Sequence, residues 1–256
     1  KALTPFLDAT GAKESTETKK LTGEEPTGES TYEISNLTAG YYLVEDVASD
    51  TGVTEGDAYS RYIMEVVADV TADVKVTAPE LTKKIVTDAA DGRADSNTAG
   101  IGQVVTYELK GKVPDHQSYD KYFYVIHDTL SEGLTFNNDI TVTIGDMTLT
   151  KIEKSESASA TKDNYYVYTD KKDISDGCTF EIAFAKIKEW AKDSEIVVTY
   201  SATVNASAVT GADGNPNTVK LEYSNNPNFK YEGENEGKPG KPDPDKRHQM
   251  IKSLLT

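Results

Sequence analysis

The chain has 256 residues, of which 27% are charged, and a net charge of −16 at pH 7. So large a negative charge argues against nucleic acid and anionic membrane surfaces as partners, because both would repel it. No stretch approaches the roughly 20 apolar residues that a transmembrane helix needs. The single cysteine excludes an internal disulfide.

The first part of the chain, residues 1–76, has the pattern of short strands joined by polar turns. Three strands are predicted, at Thr31–Asn36, Tyr41–Glu45 and Tyr62–Val67. Short strands at this spacing are typical of a small β-sandwich. We therefore predict an N-terminal all-β domain that ends at residue 76.

A second and longer series of strands begins after Ala78-Pro79 and predicts a larger domain over residues 77–232. Only Ile187–Ala191 hints at a helical turn. The predicted fold class is thus all-β, with two tandem immunoglobulin-like β-sandwiches. The strands predicted in the second domain are Leu81–Val86, Gly102–Lys112, Tyr122–His127, Ile140–Ile144, Met147–Lys154, Tyr165–Thr169, Phe180–Phe184, Ile196–Asn205 and Asn217–Tyr223.

The composition changes again after Tyr231. Residues 232–245 are rich in proline, glycine and charge, and such a sequence cannot bury enough apolar surface to fold. The terminal stretch His248–Thr256 does not continue this pattern. We expect residues 233–256 to form a linker and tail outside both domains, disordered or in part foreign to the native protein.

Three strands of the second domain carry a polar side chain on the face that should be buried. In a strand, alternate residues share a face. Lys83 is therefore in line with Leu81 and Ile85, Asp128 with Tyr124, Ile126 and Leu130, and Asn217 with Val219, Leu221 and Tyr223. Burial of any one of these three polar groups alone would cost several kcal/mol. We therefore predict that Lys83, Asp128 and Asn217 are buried together.

Each member of this set has a simpler alternative. A slip of one residue in register would exchange Lys83 for its neighbour Lys84. Asn217 could close the preceding turn, although Asn215 is also available for that role. Asp128 could begin a turn before Gly133, and its assignment depends on the other two residues.

His127 and Cys178 are the other reactive side chains that the sequence offers. Neighbours on a strand point to opposite faces, so His127 cannot share a site with Asp128, and we expect it on the surface. Cys178 and the three histidines lack metal-ligand spacing, so we expect a packed or half-exposed thiol. The sequence predicts neither a metal nor a cofactor.

The three buried groups have a chemistry of their own. An apolar pocket shifts a lysine towards its neutral, nucleophilic form and a carboxyl towards its protonated form. A protonated aspartate could then polarise the asparagine carbonyl and assist the loss of ammonia. The predicted product is an isopeptide bond between Lys83 and Asn217, formed with Asp128 as the catalytic acid.

Six spaced segments of residues 77–232 resemble the isopeptide-forming second domain of Gram-positive pilus shaft proteins. By position in these motifs, the resemblance assigns the bond to Lys83 and Asn217 and the catalytic acid to Asp128. The segments are Pro79–Ile85, Gly102–Leu109, Val113–Asp115, His127–Leu134, Ile196–Ala202 and Asn217–Pro227.

Residues 1–76 are similar to the N-terminal domain of such pilins. Gly40–Glu45 resembles a strand of the collagen-adhesin-type B domains, in which the matching glutamate is the catalytic acid of a bond. The strand Tyr62–Val67 offers no asparagine. We therefore predict two collagen-adhesin-like sandwiches, with no isopeptide bond in the first.

The resemblance implies a structural subunit of a pilus (fimbria) on the bacterial cell surface and cell wall, not an enzyme beyond one self-modification. Its implied partners are neighbouring pilin subunits, joined by sortase. Lys75 lies near the position that the resemblance implies for the lysine linked to the next subunit, but it lacks the family's motif around that lysine. The alternative is an adhesin module on the same scaffold, which would bind a host matrix ligand or other bacteria. A conventional enzyme has little support, because no nucleophile, metal cluster or phosphate loop is recognisable.

Overall fold

The computed structural model describes residues 39–45, 61–68, 78–88, 92–117, 119, 121–174, 176–211, 214–224 and 249–254. Its strands are β1 Gly40–Glu45, β2 Arg61–Val66, β3 Leu81–Val86, β4 Arg93–Ala94, β5 Val104–Lys112, β6 Tyr124–Leu130, β7 Leu134–Phe136, β8 Thr141–Ile144, β9 Met147–Thr148, β10 Thr150–Lys151, β11 Asn164–Tyr168, β12 Phe180–Phe184, β13 Glu195–Val204, β14 Asn217–Ser224 and β15 Gln249–Leu254. Two short 3₁₀ helices cover Lys154–Ser159 and Ile187–Glu189. The prediction of an all-β chain is confirmed.

Two sheets make up most of the described structure. One has six strands in the order β10-β11-β12-β6-β14-β15, and the other has seven, in the order β4-β3-β5-β13-β8-β9 with β7 also paired to β13. Most neighbours are antiparallel, and β10 with β11 is a parallel exception. The strands β1 and β2 form a separate antiparallel pair.

The core lies between the inner faces of the two large sheets. Strand alternation supplies it: Ile126 of β6 and Leu221 of β14 face Leu109 of β5 and Val198 of β13, and all four are fully buried. A smaller apolar cluster, which includes Phe123 and Val125, covers the outer face of the six-stranded sheet. Both faces of β6 are therefore buried, as its near-continuous burial pattern also indicates.

The segment Met147–Lys154, predicted as one strand, is divided between the two sheets. β9 pairs with β8 in the seven-stranded sheet, and β10 pairs with β11 in the six-stranded sheet. Leu149 lies between them and is buried. The chain crosses from one sheet to the other at this point, and a run of alternating residues does not reveal such a crossing.

The tail also differs from its prediction. Gln249–Leu254 form an antiparallel strand on the open edge of β14, where the sequence indicated a segment outside the domain. An edge strand offers unpaired N–H and C=O groups to any segment within reach, whatever its side chains. Residues 69–77, which contain the predicted domain boundary and Lys75, lie outside the described residues. The boundary at residue 76 stays a prediction.

Candidate functional site between the two sheets

Three strands bring the predicted polar side chains to one place in the core. Lys83 is on β3 of the seven-stranded sheet, whereas Asp128 on β6 and Asn217 on β14 belong to the six-stranded sheet. Asn217 pairs with Leu130 and Val219 with Asp128, so the acid and the amide are diagonal neighbours on one face. Lys83 reaches them across the core.

The three side chains are in direct contact and almost fully buried. The Lys83 Nζ lies 3.1 and 2.9 Å from the two carboxylate oxygens of Asp128. It lies 2.5 Å from the amide oxygen of Asn217. The exposed fractions are 3% for Lys83, 0% for Asp128 and 2% for Asn217. The amine, the acid and the amide thus share one dry pocket.

Tyr200, on β13, completes the group of polar contacts. Its hydroxyl donates to the Asp128 Oδ2 at 2.9 Å and accepts from the Asn217 Nδ2 at 2.8 Å. Tyr200 is not among the site residues predicted from the sequence. Its position on the same face as Val198 and Ala202 predicts burial, but nothing in the sequence indicates what its hydroxyl contacts.

Aromatic rings enclose the lysine amine and the acid. The Lys83 Nζ lies 5.3 Å from the centroid of Tyr107 and 5.6 Å from that of Tyr200. The Phe180 ring packs edge-on against Tyr200, and Phe136 stacks on Phe180 at 4.4 Å. This apolar wall excludes water from the contacts between the three polar groups.

Burial dominates the electrostatics of the pocket. It lowers the pKa of Lys83 to about 8, although the charge and hydrogen bonds of Asp128 oppose the shift. Burial also raises the pKa of Asp128, against the opposing effect of Lys83, and it raises that of Tyr200 well above the usual value. Each shift favours the neutral form of its group. The pocket therefore brings a neutral amine and a protonated acid closer in energy to the ion pair.

The contacts of Lys84 and Asn215 bear on the simpler alternatives that the sequence left open for Lys83 and Asn217. Lys84 points outward and bonds Asp95 at 2.5 Å, with 42% of its side chain exposed. Asn215 closes the turn, because its side chain exchanges two hydrogen bonds with the backbone of Val209. Asn217 is thereby left to the pocket, and Lys83 is the lysine that faces inward.

Two other predicted residues cannot be placed with the site. Lys75 lies outside the described residues, and for Glu45 the structure describes the backbone of β1.

In the described part of the chain, no helix is both long and apolar enough to cross a membrane.

The expectation of a surface His127 is wrong. It lies on the outer face of the six-stranded sheet, as alternation requires, but only 3% of it is exposed. Cys178, in the loop before β12, covers the histidine, and its Sγ atom lies 3.9 Å from the His127 Nδ1. A loop that folds over a sheet face is a tertiary feature, and strand periodicity does not predict it.

Comparison with known proteins finds a family match within the larger β-sandwich. Residues 101–227 match the family model described as Gram-positive pilin backbone subunit 2, Cna-B-like domain. This range contains Asp128, Tyr200 and Asn217, and it begins after Lys83.

Two curated relatives cover similar lengths of the chain. The trypsin-resistant surface T6 protein of Streptococcus pyogenes is 29% identical over 165 residues, which are 61% of this chain and 28% of that protein. Platelet adherence protein A of Streptococcus gordonii is 32% identical over 161 residues, which are 59% of this chain and 4% of that protein. The chain thus spans less than a third of either relative.

Similar solved structures include two pilins. The T6 backbone pilin of S. pyogenes aligns with a TM-score of 0.48 and 21% identity, over 86% of this chain and 46% of that one. BcpA, the major pilin subunit of Bacillus cereus, aligns with a TM-score of 0.49 and 14% identity, over 86% of this chain and 55% of that one. The family match agrees with the resemblance drawn from the sequence motifs, and it covers residues 101–227, just under half of the chain.

Proposed function

We propose that the chain is part of a Gram-positive pilus shaft subunit, whose larger sandwich is locked by an isopeptide bond between Lys83 and Asn217. The observation that carries the proposal is the contact of the Lys83 amine with both Asp128 and the Asn217 amide in a buried pocket. A buried lysine beside an acid is otherwise an ion pair that a hydrophobic pair could replace at no loss of stability. A covalent product gives the three groups a reason to be there.

The reaction begins with a proton transfer from the Lys83 ammonium to the Asp128 carboxylate. Both groups become neutral, which the dry pocket favours. The Nζ atom then attacks the Asn217 side-chain carbonyl carbon, and the fixed geometry supplies the proximity that a bimolecular reaction lacks. Protonated Asp128 gives its proton to the oxyanion that forms on the attacked carbonyl. As a carboxylate, in contact with the amine through both oxygens, it then accepts the proton that the attacking nitrogen must lose.

Collapse of the intermediate breaks the bond from the carbonyl carbon to the Asn217 Nδ2. The departing nitrogen needs one proton to leave as ammonia. Tyr200 bridges Asp128 and this nitrogen, so it can pass its own proton to the Nδ2 and take one from Asp128. As the carbonyl re-forms, the hydroxyl proton of the intermediate returns to Asp128. The products are a secondary amide and one molecule of ammonia, and Asp128 ends the cycle protonated, as it began the attack.

The bond would join the two sheets through β3 and β14, which lie at a sequence separation of 134 residues. It would act as a disulfide does, by restricting the unfolded chain, in a protein whose single cysteine cannot form an internal disulfide. A covalent tie across the core resists pulling and proteolysis, and these are the demands on a fibre at the cell surface.

Intact-mass spectrometry with a tryptic map tests the bond directly. We expect the protein to weigh one ammonia less than its sequence and to yield a peptide that joins the segments around Lys83 and Asn217. Lys83→Ala and Asp128→Ala should restore the full mass. The matched control Lys84→Ala should keep the deficit. A full mass in the parent protein would refute the proposed bond.

The shaft role itself needs a test in cells. We propose that sortase joins the subunits on the bacterial surface and that Lys75 is the linking lysine, since it precedes the second domain. Expression of the full-length protein in its host should give polymer ladders on denaturing gels, and Lys75→Ala should abolish them. Ladders that survive this change would exclude Lys75, and an absence of ladders in the parent would refute the shaft role.

A surface adhesin is the second candidate, favoured by the match to a protein named for platelet adherence. The isopeptide bond does not discriminate between the two, because a cross-linked sandwich suits both. A monomeric product that binds host cells or matrix, with no polymer formed, would favour the adhesin.

A further inference from the structure

A second cluster of reactive side chains lies on the opposite, outer face of the six-stranded sheet. Three neighbouring strands supply it: His127 from β6, Glu181 from β12 and Glu222 from β14. Glu181 stands directly opposite His127 in the strand register. All three are buried, with exposed fractions of 3% or less.

The loop before β12 adds two more potential metal ligands. The turn Asp176-Gly177-Cys178 folds over the sheet, with Gly177 in the left-handed region at φ 77°. The backbone N–H of Cys178 donates to the Asp176 Oδ1 at 3.0 Å. This bond holds the Asp176 carboxylate so that its Oδ2 faces His127, and it brings the Cys178 thiol to the same side.

The distances around His127 are close to the edges of a tetrahedron around a metal ion. Its Nδ1 lies 3.2 Å from an Asp176 oxygen, 3.4 Å from a Glu181 oxygen and 3.9 Å from the Cys178 Sγ. One ligand atom from each of the four residues lies within 4.8 Å of the others. Bonds of about 2.0–2.3 Å to a tetrahedral zinc imply ligand-to-ligand distances of about 3.3–3.8 Å. Small adjustments would therefore bring the four atoms around one ion.

The other ring nitrogen of His127 is already oriented as a metal ligand requires. Its Nε2 lies 2.6 Å from the Glu222 Oε2. A ligating histidine commonly donates this second N–H to a carboxylate, which fixes the ring and directs the remaining lone pair at the metal. Glu222 thus has the place of the supporting carboxylate, outside the ligand set.

The charges of the cluster favour a cation. Three carboxylates, those of Asp176, Glu181 and Glu222, surround one imidazole, and buried acids of this kind are stable when paired or bound to a metal. Lys220 stands opposite His127 in the register and would reduce the remaining negative charge. Asp176 is the partly exposed member, and its side gives an ion a path from solvent.

We propose that His127, Asp176, Cys178 and Glu181 bind a zinc ion, with Glu222 as the carboxylate that orients the histidine. Nitrogen and sulfur ligands select zinc over calcium and magnesium, which prefer oxygen alone. On binding, the Cys178 thiol releases its proton to solvent and coordinates as thiolate. The four protein ligands fill the coordination shell, so the site is structural and fastens the Asp176–Cys178 turn to the sheet.

Metal titration of the chelator-treated protein tests the proposal. We expect one equivalent of Zn²⁺ to bind, and Co²⁺ in its place to give the near-ultraviolet charge-transfer band of a cobalt–thiolate bond. Cys178→Ser should remove the band, and Glu181→Gln and Asp176→Asn should weaken binding at least tenfold. Asp170→Asn, a change of the same kind at an exposed residue earlier in the loop, should leave binding unchanged.

The parent protein alone can overturn the proposal, so it does not depend on whether the variants fold. No uptake of either metal would mean that the cluster is an ion network around a protonated histidine. Uptake without a thiolate band, or uptake that Glu181→Gln leaves unchanged, would place the metal elsewhere and also refute the site.

Discussion

The two faces of β6 bury charged groups in different ways. The inner face places Asp128 beside a lysine and an amide, so that charge can be removed by proton transfer within the pocket. The outer face places His127 among three acids, and one imidazole can carry a single positive charge against three carboxylates. The adjacent residues Asp128 and His127 thus lie in surroundings with different balances of positive and negative charge.

The difference between the two faces indicates that the energetic cost of a buried charge can be removed by a chemical reaction or by a metal ion, as well as by an ion pair. On the inner face, the proposed reaction converts the lysine amine permanently into an amide, which does not titrate. On the outer face, we propose a metal ion that can be withdrawn. The first tie joins the two sheets, and the second would hold a loop to one sheet.

Loss of the covalent tie should have the largest effect. Asn217→Ala opens a loop of 134 residues, and the chain-entropy relation for such a loop gives about 5 kcal/mol of lost stability. For a domain of this size, the melting temperature should fall by about 10–20 °C in calorimetry. Asn215→Ala, two residues away on the same approach to β14, should keep the cross-link and lose about 1 kcal/mol or less. Equal losses in the two variants would contradict the covalent tie.

The unreacted pocket should be sensitive to alkaline pH. In Asn217→Ala, Lys83 keeps its amine, whose folded-state pKa is about 8 against 10.5 for the unfolded chain. The folded state then binds fewer protons between these values, so stability should rise by about 3 kcal/mol as the pH rises from 8 to 10.5. In the parent protein the proposed bond would make this nitrogen an amide, so the rise should be absent. Urea unfolding at several pH values would measure the difference, and parallel profiles would exclude it.

Withdrawal of zinc should destabilise the outer face. A zinc ion at 100 times its dissociation constant stabilises the folded state by about 2.7 kcal/mol, so chelation should lower the melting temperature by about 5–10 °C. Because the two sites are on opposite faces, the same decrease is expected in Asn217→Ala. A melting temperature that chelation leaves unchanged in both proteins would remove the outer site from the comparison.

The bridging hydroxyl should affect rate more than stability. Tyr200→Phe keeps the ring packing but removes the hydrogen bonds to Asp128 and Asn217. A lost hydrogen bond to a charged group is worth about 1.5–3 kcal/mol, which predicts cross-linking about 10- to 100-fold slower. The cross-linked fraction can be followed by mass during refolding of unreacted protein. An unchanged rate would mean that Tyr200 serves only packing.

The smallest effect is expected at Lys84. Its contact with Asp95 is exposed on both sides, and such surface pairs contribute about 1 kcal/mol or less. Lys84→Ala should therefore keep the cross-link and nearly the full melting temperature. Loss of the cross-link would mean that Lys84, and not Lys83, faces the buried pocket.

The all-β class and most strands of the larger sandwich can be predicted from the order of residues alone, because a period of two follows directly from the pleat. The same period placed Lys83, Asp128 and Asn217 on buried faces, and the structure brings these three side chains into contact. Turn chemistry left both Asn215 and Asn217 as candidates for closing the turn before β14, and in the structure Asn215 makes two hydrogen bonds with the backbone of Val209.

What lies across from each buried face depends on how the sheets and loops are assembled. The hydroxyl of Tyr200 bridges acid and amide because β13 lies in the opposite sheet, and periodicity along one strand carries no such information. The crossing at Leu149 and the strand pairing of Gln249–Leu254 likewise depend on which edges are open. His127 is buried because a distant loop folds over it, so its neighbours Asp176 and Cys178 become visible only when the sheet and the loop are assembled.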